Sequence, residues 1–444
     1  MEPLEGPMPE RHSSTSVYTK LQRIAELARR MPDTALTTLA HHIDIDWLRE
    51  AHRRTRKDGA TGVDGQTADE YGENLEANLQ SLLDRAKSGT YRAPPVRRVH
   101  IPKGDGKRTR PIGIPTFEDK ILQRAVVMVL EGIFEQDFVD WSYGCRPGRS
   151  QHQALEAIRK QMMEMYGGWL IQIDVQSFFD EIDHGHLRAF VGQRVRDGVI
   201  VRLIGKWLKA GVMEDGQRRR AKAGSPQGGV ISPLLANVFL HEVFDRWFER
   251  EVKPRMKGVV FAVRFADDIL IVVQDEADVR RVMQVLPKRF GKYGLRLHPD
   301  KTRILDMRHP WKRGGRPGKG RTFDFLGLTH YWGLSRKGNW VIKRKTAKGR
   351  LRRAIGEVWK WCKGNRHRPV AEQRAVLASK LRGHYNYYGV RTNFRSLGAF
   401  YWTVLRAWQH WLNRRSDNRA MPWKRFYRLL GRHPLPKPRI THAT

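Results

Sequence analysis

The stretch Val259–Val273, VVFAVRFADDILIVV, decides the fold that the sequence predicts. Apolar residues run up to Asp267 and Asp268 and resume directly after them. The first arm, up to Phe265, alternates between two sides and predicts a strand. The second arm, Ile269–Val273, is short and apolar and predicts a buried strand. An Asp-Asp pair at the join favours a tight hairpin turn.

The two adjacent carboxylates need an explanation, because like charges beside buried strands repel each other and lose hydration. That arrangement is costly unless cations neutralise it. For an isolated Asp-Asp pair, a solvated hairpin tip is the ordinary interpretation. A third carboxylate changes this interpretation, since the mostly apolar stretch Trp169–Val175, WLIQIDV, predicts a strand that ends on Asp174.

Three carboxylates on neighbouring strands of one sheet can hold two Mg²⁺ ions about 4 Å apart. Mg²⁺ suits such a site because it takes hard oxygen ligands and keeps waters and substrate phosphates. One ion lowers the pKa of an attacking hydroxyl, and the other stabilises a leaving pyrophosphate. The sequence therefore predicts Asp174, Asp267 and Asp268 as catalytic metal ligands for nucleotidyl transfer along a template.

The composition predicts a globular protein with a polyanionic partner. A chain of 444 residues, 40% of them hydrophobic, is long enough for two or three domains with cores. A formal net charge of +37 favours nucleic acid as the partner, ahead of an anionic membrane surface. No apolar run approaches the ~20 residues that span a bilayer, and the polar N-terminal stretch is no signal peptide. The two cysteines, Cys145 and Cys362, are typical of a reducing cytosol.

The first half of the chain predicts helices around one basic hairpin. Residues 1–16 are expected to be a disordered tail, and Val17–Arg56 has helical spacing. A hairpin is predicted over Val96–Pro115, and a solvated tip is as good an interpretation of it as a phosphate contact. Lys103 and Arg110 beside its turn can neutralise a triphosphate. Further predicted helices cover Ile45–Arg54, Thr67–Ser88 and Glu118–Phe138.

The middle of the chain alternates Gly-containing loops with amphipathic helices. The loop GSPQGG, Gly224–Gly229, leads into a helix with Ser232 as its N-cap and Pro233 at its first position. That helix is predicted to run through Phe244. The other predicted elements are a loop at Ser142–Ser150, a helix at Val279–Tyr293, a mobile loop at Arg308–Thr322 and a strand at Phe323–Leu328.

From Thr346 onward the sequence is helical and strongly basic. Residues 345–444 contain 24 Lys and Arg but 3 Asp and Glu. Apolar residues at helical spacing predict a bundle core, and outward-facing cations with few acids predict phosphate contacts. The predicted helices are Thr346–Lys363, Val370–Tyr388 and Phe394–Arg415. The predicted core residues are Trp359, Leu377, Leu381, Trp402 and Leu405. The predicted nucleic-acid contacts are Arg350, Arg353, Lys363 and Arg382, with Arg146 and Arg149 in the earlier loop.

Six motifs, by their order and spacing, resemble those of group II intron-encoded reverse transcriptases and maturases, from about Val17 to His442. FADD at 265–268 resembles the family's catalytic motif, which alone would be a weak signal. The other motifs are SYGCRPGRS at 142–150, IDVQSFFD at 173–180, GSPQGGVISPLLAN at 224–237, GLRLHPDKT at 294–302 and FDFLGL at 323–328. GVDG at 62–65 resembles the family's N-terminal extension motif, which helps to hold the template.

The resemblance implies an α+β fold, namely a right-hand polymerase with fingers and a palm containing an antiparallel sheet, followed by an α-helical thumb or maturase domain. The implied domains are a disordered tail at 1–16, the N-terminal extension and start of the fingers at 17–90, the fingers and palm at 91–330, the thumb and maturase helices at 331–415, and a basic C-terminal extension at 416–444.

The resemblance also implies a role for each matched residue. Asp174, Asp267 and Asp268 would bind the metal ions together with the backbone carbonyl of Val175. Phe179 matches the steric gate that excludes a ribose 2′-OH. The residues that would contact the incoming nucleotide are Lys103, Arg110, Phe179, Gln227 and Lys301.

The implied activity is RNA-directed DNA synthesis with two Mg²⁺ ions, or with Mn²⁺, and binding of group II intron RNA to promote splicing and retrohoming. The implied partners are intron RNA, an RNA template with a DNA primer, target DNA and dNTPs, with no membrane. The expected location is the bacterial cytoplasm, with nucleoid association during insertion. Two alternatives stay open: an RNA-binding splicing cofactor with little polymerase activity, and a domesticated reverse transcriptase of a defence or CRISPR-associated system.

Three residues depart from the family pattern: Phe265 replaces a usual Tyr, Cys145 a usual aromatic residue and Ser225 a usual Thr. These departures bear on fidelity or rate rather than on the reaction. The chain also lacks the Cys pairs of an HNH nuclease, so priming is expected at nicks, replication forks or exposed single strands.

Overall fold

The computed structural model describes residues 10–102, 109–214, 217–219, 228–313, 321–415 and 420–442. The chain divides into two compact units. Unit 1 consists of Met1–Ser150, Ile171–Ile271 and Ala277–Arg303. Unit 2 consists of Gln151–Leu170, Val272–Glu276 and Ile304–Thr444. Helices and antiparallel strand pairs occur together in the described residues, which confirms the α+β part of the predicted fold class.

The helices in the described residues are α1 (Glu10–Arg30), α2 (Ile45–Arg54), α3 (Ala68–Gly72), α4 (Leu75–Ser88), α5 (Phe117–Phe134), α6 (Gln151–Glu164), α7 (Phe178–Glu181), α8 (His184–Arg194), α9 (Gly198–Lys209), α10 (Ser232–Leu240), α11 (Glu276–Gly291), α12 (Lys348–Asn365), α13 (Val370–Tyr388), α14 (Phe394–Asn413) and α15 (Trp423–Arg432). None of them is long and apolar enough to cross a membrane.

The strands are β1 (Val96–Pro102), β2 (Thr109–Ile114), β3 (Trp169–Ile173), β4 (Val212–Glu214), β5 (Gln217–Arg219), β6 (Val260–Phe265), β7 (Asp268–Val273), β8 (Arg303–Asp306), β9 (Phe323–Phe325), β10 (Leu328–Leu334) and β11 (Trp340–Thr346). They form sheets in the orders β2-β1-β4-β5, β11-β10-β9 and β6-β7-β3-β8. β1 and β2 pair antiparallel, as the predicted basic hairpin requires. The third sheet contains both predicted carboxylate-bearing strands, with β7 directly beside β3.

The core of unit 1 forms around α5, whose sequence is apolar on nearly every side. Its residues from Ile121 to Leu130 are mostly buried, and α1 and α2 pack against it. The indole N–H of Trp47 on α2 donates to the carbonyl of Ala125 at 2.9 Å. The hydroxyl of Thr116 caps the helix by accepting from the backbone N–H of Asp119. This scaffold lies in the same unit as the candidate catalytic carboxylates.

The predicted helical bundle is present in unit 2 as α12, α13 and α14, and α13 has the predicted bounds. Leu377, Leu381 and Leu405 lie in its core, and Trp359 packs against that core, as predicted. Trp402 is 54% exposed, so its predicted place in the core is wrong. The helical period puts it on the outer side of α14, whose inner side is already filled by neighbours such as Trp408.

Four predicted boundaries are corrected by the structure. α1 begins at Glu10, inside the predicted tail at 1–16, and the predicted helix Thr67–Ser88 is split into α3 and α4. The N-cap of α10 is Ile231 rather than Ser232, so Ser232 and Pro233 occupy its first turn, where a missing N–H costs nothing. α10 stops at Leu240, and the chain continues through π-helical turns at His241–Asp245 and Phe248–Val252.

Two predicted loops lie partly outside the described residues. The loop at Gly224–Gly229 is described only from residue 228, and the one at Arg308–Thr322 contains the 3₁₀ turn Pro310–Arg313 before residues 314–320, which are not described. The predicted strand Phe323–Leu328 is interrupted, because Leu326 and Gly327 take positive φ between β9 and β10.

Candidate active site

The tip of the central hairpin differs by one residue from the predicted one. β6 ends at Phe265 and β7 begins at Asp268, so Ala266 and Asp267 form the turn. Ala266 has φ +54°, in the left-handed region that a two-residue hairpin loop uses at its first position. Asp268 is therefore an exposed strand residue, and Asp267 alone of the two occupies the tip.

A buried arginine, Arg264, is hydrogen-bonded to the backbone of this turn. Arg264 is fully buried, and its Nε and Nη2 donate to both carboxylate oxygens of Asp245, at 2.8 and 2.6 Å. Its Nη1 donates to Asn237 Oδ1 at 2.9 Å and to the Ala266 carbonyl at 3.2 Å. Burial acts to raise the pKa of Asp245, but Arg264 and His241 outweigh it and hold that pKa below its usual range. The pair is therefore ionised, and Arg264 is hydrogen-bonded directly to the backbone of the candidate catalytic turn.

A loop closes on the turn from the other side. Gly144 has no room for a side chain, because a Cβ there would lie 2.2 Å from the backbone nitrogen of Ala266. The amide of Asn237 donates to the Gly144 carbonyl at 2.8 Å, which joins the loop to the arginine network. The backbone N–H of Tyr143 donates to the Arg264 carbonyl at 2.8 Å. The position of Asp267 is thus set by α10, the π-helical turn after it, and this loop.

Asp174 follows directly on β3 and is held by the segment at 296–302. Its carbonyl accepts from the backbone N–H of His298 at 2.8 Å, and the next residue, Val175, bridges to Leu297. The carboxylate of Asp174 accepts from Lys301 Nζ at 2.9 Å. Lys301 therefore neutralises one of the predicted metal ligands in this structure, and its predicted contact with a nucleotide stays a prediction.

Asp174 lies close enough to Asp267 for its negative charge to act on that side chain. Burial raises the pKa of Asp267, and the negative charge of Asp174 raises it further. Arg110 and Arg264 oppose that rise with their positive charge. Like charges shift each other's pKa in this way only over short distances. The sheet order β6-β7-β3 explains this proximity. Asp174 directly follows β3, Asp267 directly precedes β7, and these two strands are neighbours.

The carboxylates of Asp174 and Asp267 are hard oxygen ligands of the kind that Mg²⁺ takes, although they do not surround an ion by themselves. Among the residues that the structure describes, no group of three or more His, Cys, Asp and Glu side chains is arranged to hold a metal ion. Mg²⁺ commonly takes one or two protein carboxylates and completes its shell with waters and substrate phosphates. Asp174 and Asp267 are carboxylates of this kind, and the exposed Asp268 is the next residue along the chain.

Two more of the residues predicted to contact a nucleotide lie within the described part of the chain. Arg110 is exposed on β2, and its charge acts on Asp267. Phe179 is half-buried on α7, with its ring edge-on to the buried Phe178 at 5.4 Å between centroids. Lys103 and Gln227 lie outside the described residues.

The predicted nucleic-acid contacts divide into three groups. Arg146 is buried and bonded to Glu135 and to the carbonyls of Val139 and Ser142, so its predicted contact with nucleic acid is wrong. Arg149 is paired with the exposed carboxylate of Asp140 at 2.8 Å. The remaining four are exposed and form no ion pair with any residue in the described part of unit 2. They are Arg350, Arg353, Lys363 and Arg382.

Sequence reasoning missed the supporting residues Arg264, Asp245 and Asn237. The sequence did contain one signal for Arg264. It shares a strand face with Val260 and Ala262, so the pattern places a charged side chain among buried apolar ones, where it needs a partner. Its partners could not be found in this way, because they lie on a helix and a π-helical turn earlier in the chain. Cys145, the unusual residue of the loop, is also near the site. Burial raises the pKa of its thiol, and the charge of Asp267 raises it further.

Comparison with known proteins decides the family. The pattern of the family "Reverse transcriptase (RNA-dependent DNA polymerase)" matches residues 101–330, which include all of the candidate catalytic carboxylates. The chain belongs to this family. The predicted resemblance and the predicted class of enzyme, an RNA-directed DNA polymerase, are thereby confirmed. Reverse transcriptases generally use divalent metal ions, in keeping with the carboxylates found here.

Individual relatives support the same assignment for this reverse transcriptase. Protein YkfC of Escherichia coli is 38% identical over 326 residues, which cover 65% of this chain and 84% of that protein. Group II intron-encoded protein LtrA of Lactococcus lactis is 34% identical over 285 residues, or 61% of this chain and 46% of LtrA. The putative COX1/OXI3 intron 1 protein of Saccharomyces cerevisiae is 27% identical over 311 residues, or 59% of this chain and 37% of that protein. The chain thus spans less than half of each intron protein's length.

Proposed function

We propose that this reverse transcriptase copies RNA into DNA with two Mg²⁺ ions, for which Mn²⁺ can substitute, and that it binds group II intron RNA to promote splicing and retrohoming. The observation that carries the proposal is the placement of Asp174 and Asp267 next to adjacent strands within the family region, with the negative charge of Asp174 acting on Asp267. The similarity to LtrA supports the intron RNA as a partner.

The proposed architecture is a right-hand polymerase. In this proposal, residues 17–90 form the N-terminal extension and the start of the fingers, residues 91–330 the fingers and palm, and residues 331–415 the thumb and maturase helices. The helical bundle α12–α14 and its exposed cations support the last of these domains. Target DNA and dNTPs are the further proposed ligands, and nucleoid association would follow from insertion.

In the proposed mechanism, the carboxylates of Asp174, Asp267 and Asp268 and the carbonyl of Val175 would hold the ions. When bound, the ions supply a lowered pKa for the primer hydroxyl and stabilisation of the leaving pyrophosphate. The protein's own part is to keep Asp267 in place, because Arg264 fixes the turn that carries it.

Two further groups act on the incoming nucleotide in this proposal. The Arg110 guanidinium lies near enough to act on Asp267, so it can bind the triphosphate beside the reacting atoms. Lys301 holds Asp174 in the structure, and its ammonium can turn to the phosphates of a bound nucleotide. The half-buried ring of Phe179 would exclude a ribose 2′-OH and so favour deoxynucleotides.

The test is primer extension on poly(rA)/oligo(dT) with Mg²⁺, using the wild type and Asp267→Asn. We expect the variant to lose synthesis and to bind RNA as tightly as the wild type. Because burial and Asp174 raise the pKa of Asp267, the charged carboxylate opposes folding, so the substitution is not expected to lower the unfolding midpoint. No extension by the pure wild-type protein would favour the splicing-cofactor alternative, and a large loss of RNA binding in the variant would mean that the carboxylate is structural.

A further inference from the structure

A basic groove opens in unit 1 between α8 and α9, beside the C-terminal end of α4. It has a volume of about 790 Å³. Its lining contains five cations, and among its described lining residues there is no Asp or Glu. The cations are Arg92, Arg188, Arg202, Lys206 and Lys209. None of the candidate catalytic or nucleotide-binding residues that the structure describes lines this groove.

Four of these cations lack an acidic partner. Arg92, Arg188, Arg202 and Lys209 are exposed and form no ion pair with any residue in the described part of the chain. Many other surface arginines of unit 1 do pair, as Arg246 does with Glu242. Unbalanced cations facing one concave surface repel each other, and they focus a positive potential that attracts a polyanion.

The fifth cation, Lys206, has a structural role instead. Its ammonium donates to the carbonyls of Gly89 and Tyr91, at 2.6 and 2.5 Å, where the chain leaves α4. Lys206 therefore fixes the chain segment that borders the groove, and replacing it would disturb the structure as well as ligand binding.

The helices present their outer sides to the groove. On α9, the cations Arg202, Lys206 and Lys209 recur at helical spacing, while the opposite side is buried in the core. Gly205 leaves the middle of that stripe open, because a Cβ there would meet only Arg188 Nη2, at 3.9 Å. Gly192 on α8 also leaves open space, because a Cβ there would meet nothing within 4 Å.

An apolar pocket adjoins the basic groove and shares Arg188, Val201 and Arg202 with it. Its volume is about 410 Å³, within the range of roughly 300–1,000 Å³ that ligand pockets occupy. Its walls include Val191, Val195 and Ile204, and Val201 at the boundary is 37% exposed. Positive charge and an apolar cavity thus lie side by side on one concave surface.

We propose that this surface, made of the basic groove and the apolar pocket, binds single-stranded RNA outside the polymerase site. Phosphates lie on Arg188, Arg202 and Lys209, and one unstacked base enters the apolar pocket. A single strand fits because its bases are free to leave the stack, whereas the paired bases of a duplex stay stacked inside the helix and cannot enter a pocket. A membrane surface is flat and fits a concave groove poorly, and a peptide would need acidic and apolar residues in a particular order, whereas every nucleotide of a single strand supplies both a phosphate and a base. The inference rests on the proposed function only in taking RNA as the ligand.

The charge part is tested with Arg188→Gln/Arg202→Gln and a short oligouridylate, measured by fluorescence anisotropy at several salt concentrations. The matched control is Arg250→Gln/Lys288→Gln, which removes the same charge from exposed sites outside the groove. We expect the groove variant to bind about tenfold more weakly, with a salt slope smaller by about 1.4, since each single-strand phosphate contributes about 0.7. Equal weakening by the control would overturn the proposal.

The base part is tested with Gly192→Leu, which fills the apolar pocket and improves helix propensity, so that folding is preserved. Gly291→Leu is the control, because a Cβ there also meets nothing within 4 Å. We expect Gly192→Leu to weaken binding of oligouridylate and to leave binding of inorganic polyphosphate unchanged. An equal effect on both ligands, or none on either, would refute the base pocket.

Two more measurements separate the alternatives. Competition by poly-glutamate as strong as that by oligouridylate would show a protein partner, and groove-dependent binding to phosphatidylserine vesicles would show a membrane; either result overturns the proposal. Primer extension on a short template is expected to be unchanged in the groove variants. If the wild type fails to extend primers, the proposed polymerase function is wrong. The RNA affinities of the groove variant and its control still test the proposed RNA site independently of that result.

Discussion

Replacing Asp245 by Leu is expected to damage both stability and catalysis, because it leaves Arg264 as a buried, uncompensated charge. Both residues are fully buried, and the substitution removes the bonds of 2.8 and 2.6 Å that satisfy Nε and Nη2 of Arg264. Breaking a buried pair in this way costs about 3–5 kcal/mol. A turn that shifts by about 1 Å loses on the order of 100-fold in rate, so kcat/KM per folded molecule should fall by that factor.

The double variant Asp245→Leu/Arg264→Met separates stability from positioning. It removes the uncompensated charge of Arg264. Replacing a buried ion pair by two apolar side chains often leaves the free energy of unfolding unchanged or raises it. Stability should therefore recover to within about 1–2 kcal/mol of the wild type. The rate should not recover, because the carbonyl of Ala266 and the amide of Asn237 have lost their donor.

The control is Asp137→Leu, which breaks another largely buried pair of unit 1. Arg194 donates to Asp137 at 2.8 Å and otherwise to carbonyls of the N-terminal segment, with no bond to the hairpin. Urea unfolding and primer extension on folded protein are measured for all variants. A cost below about 1 kcal/mol for Asp245→Leu would show that Arg264 is not stranded as a buried charge. A control that lowers the rate per folded molecule as much as Asp245→Leu does would show that the buried pair does not position the turn.

Three further outcomes are expected. Arg110→Leu should move the acidic limb of the extension rate to higher pH, because Arg110 opposes the rise in the pKa of Asp267 and the reactive carboxylate would then protonate sooner; a limb that moves down or stays fixed would contradict this. Phe179→Ala should increase ribonucleotide incorporation, measured with rNTPs against dNTPs, and an unchanged ratio would remove Phe179 from its assigned role. RNA affinity should fall steeply with salt, with a slope of magnitude about 5 or more, and a flat dependence would contradict a site built on phosphate contacts.

The hairpin and the bundle could be predicted because each depends on residues close together in the chain. The period of two in Val260–Phe265 and the helical period in Val370–Tyr388 are local patterns, and both elements formed where they were predicted. Errors arose where a local pattern met a tertiary constraint. Trp402 is an apolar aromatic residue in a helix of the bundle but lies on the outer side of that helix. Arg146 lies in a basic loop, as an RNA contact would, but its guanidinium is buried and paired with Glu135.

The sequence by itself determined the enzyme family and proposed the catalytic carboxylates, because the order of six motifs and the position of each Asp near a strand end can be read without coordinates. Only the tertiary structure decided what holds those carboxylates. Asp245, Asn237 and Gly144 come from separate elements, and Lys301 reaches Asp174 from a segment more than a hundred residues later. A buried charge needs a partner within hydrogen-bond distance, and sequence spacing does not record which distant residue folding brings there.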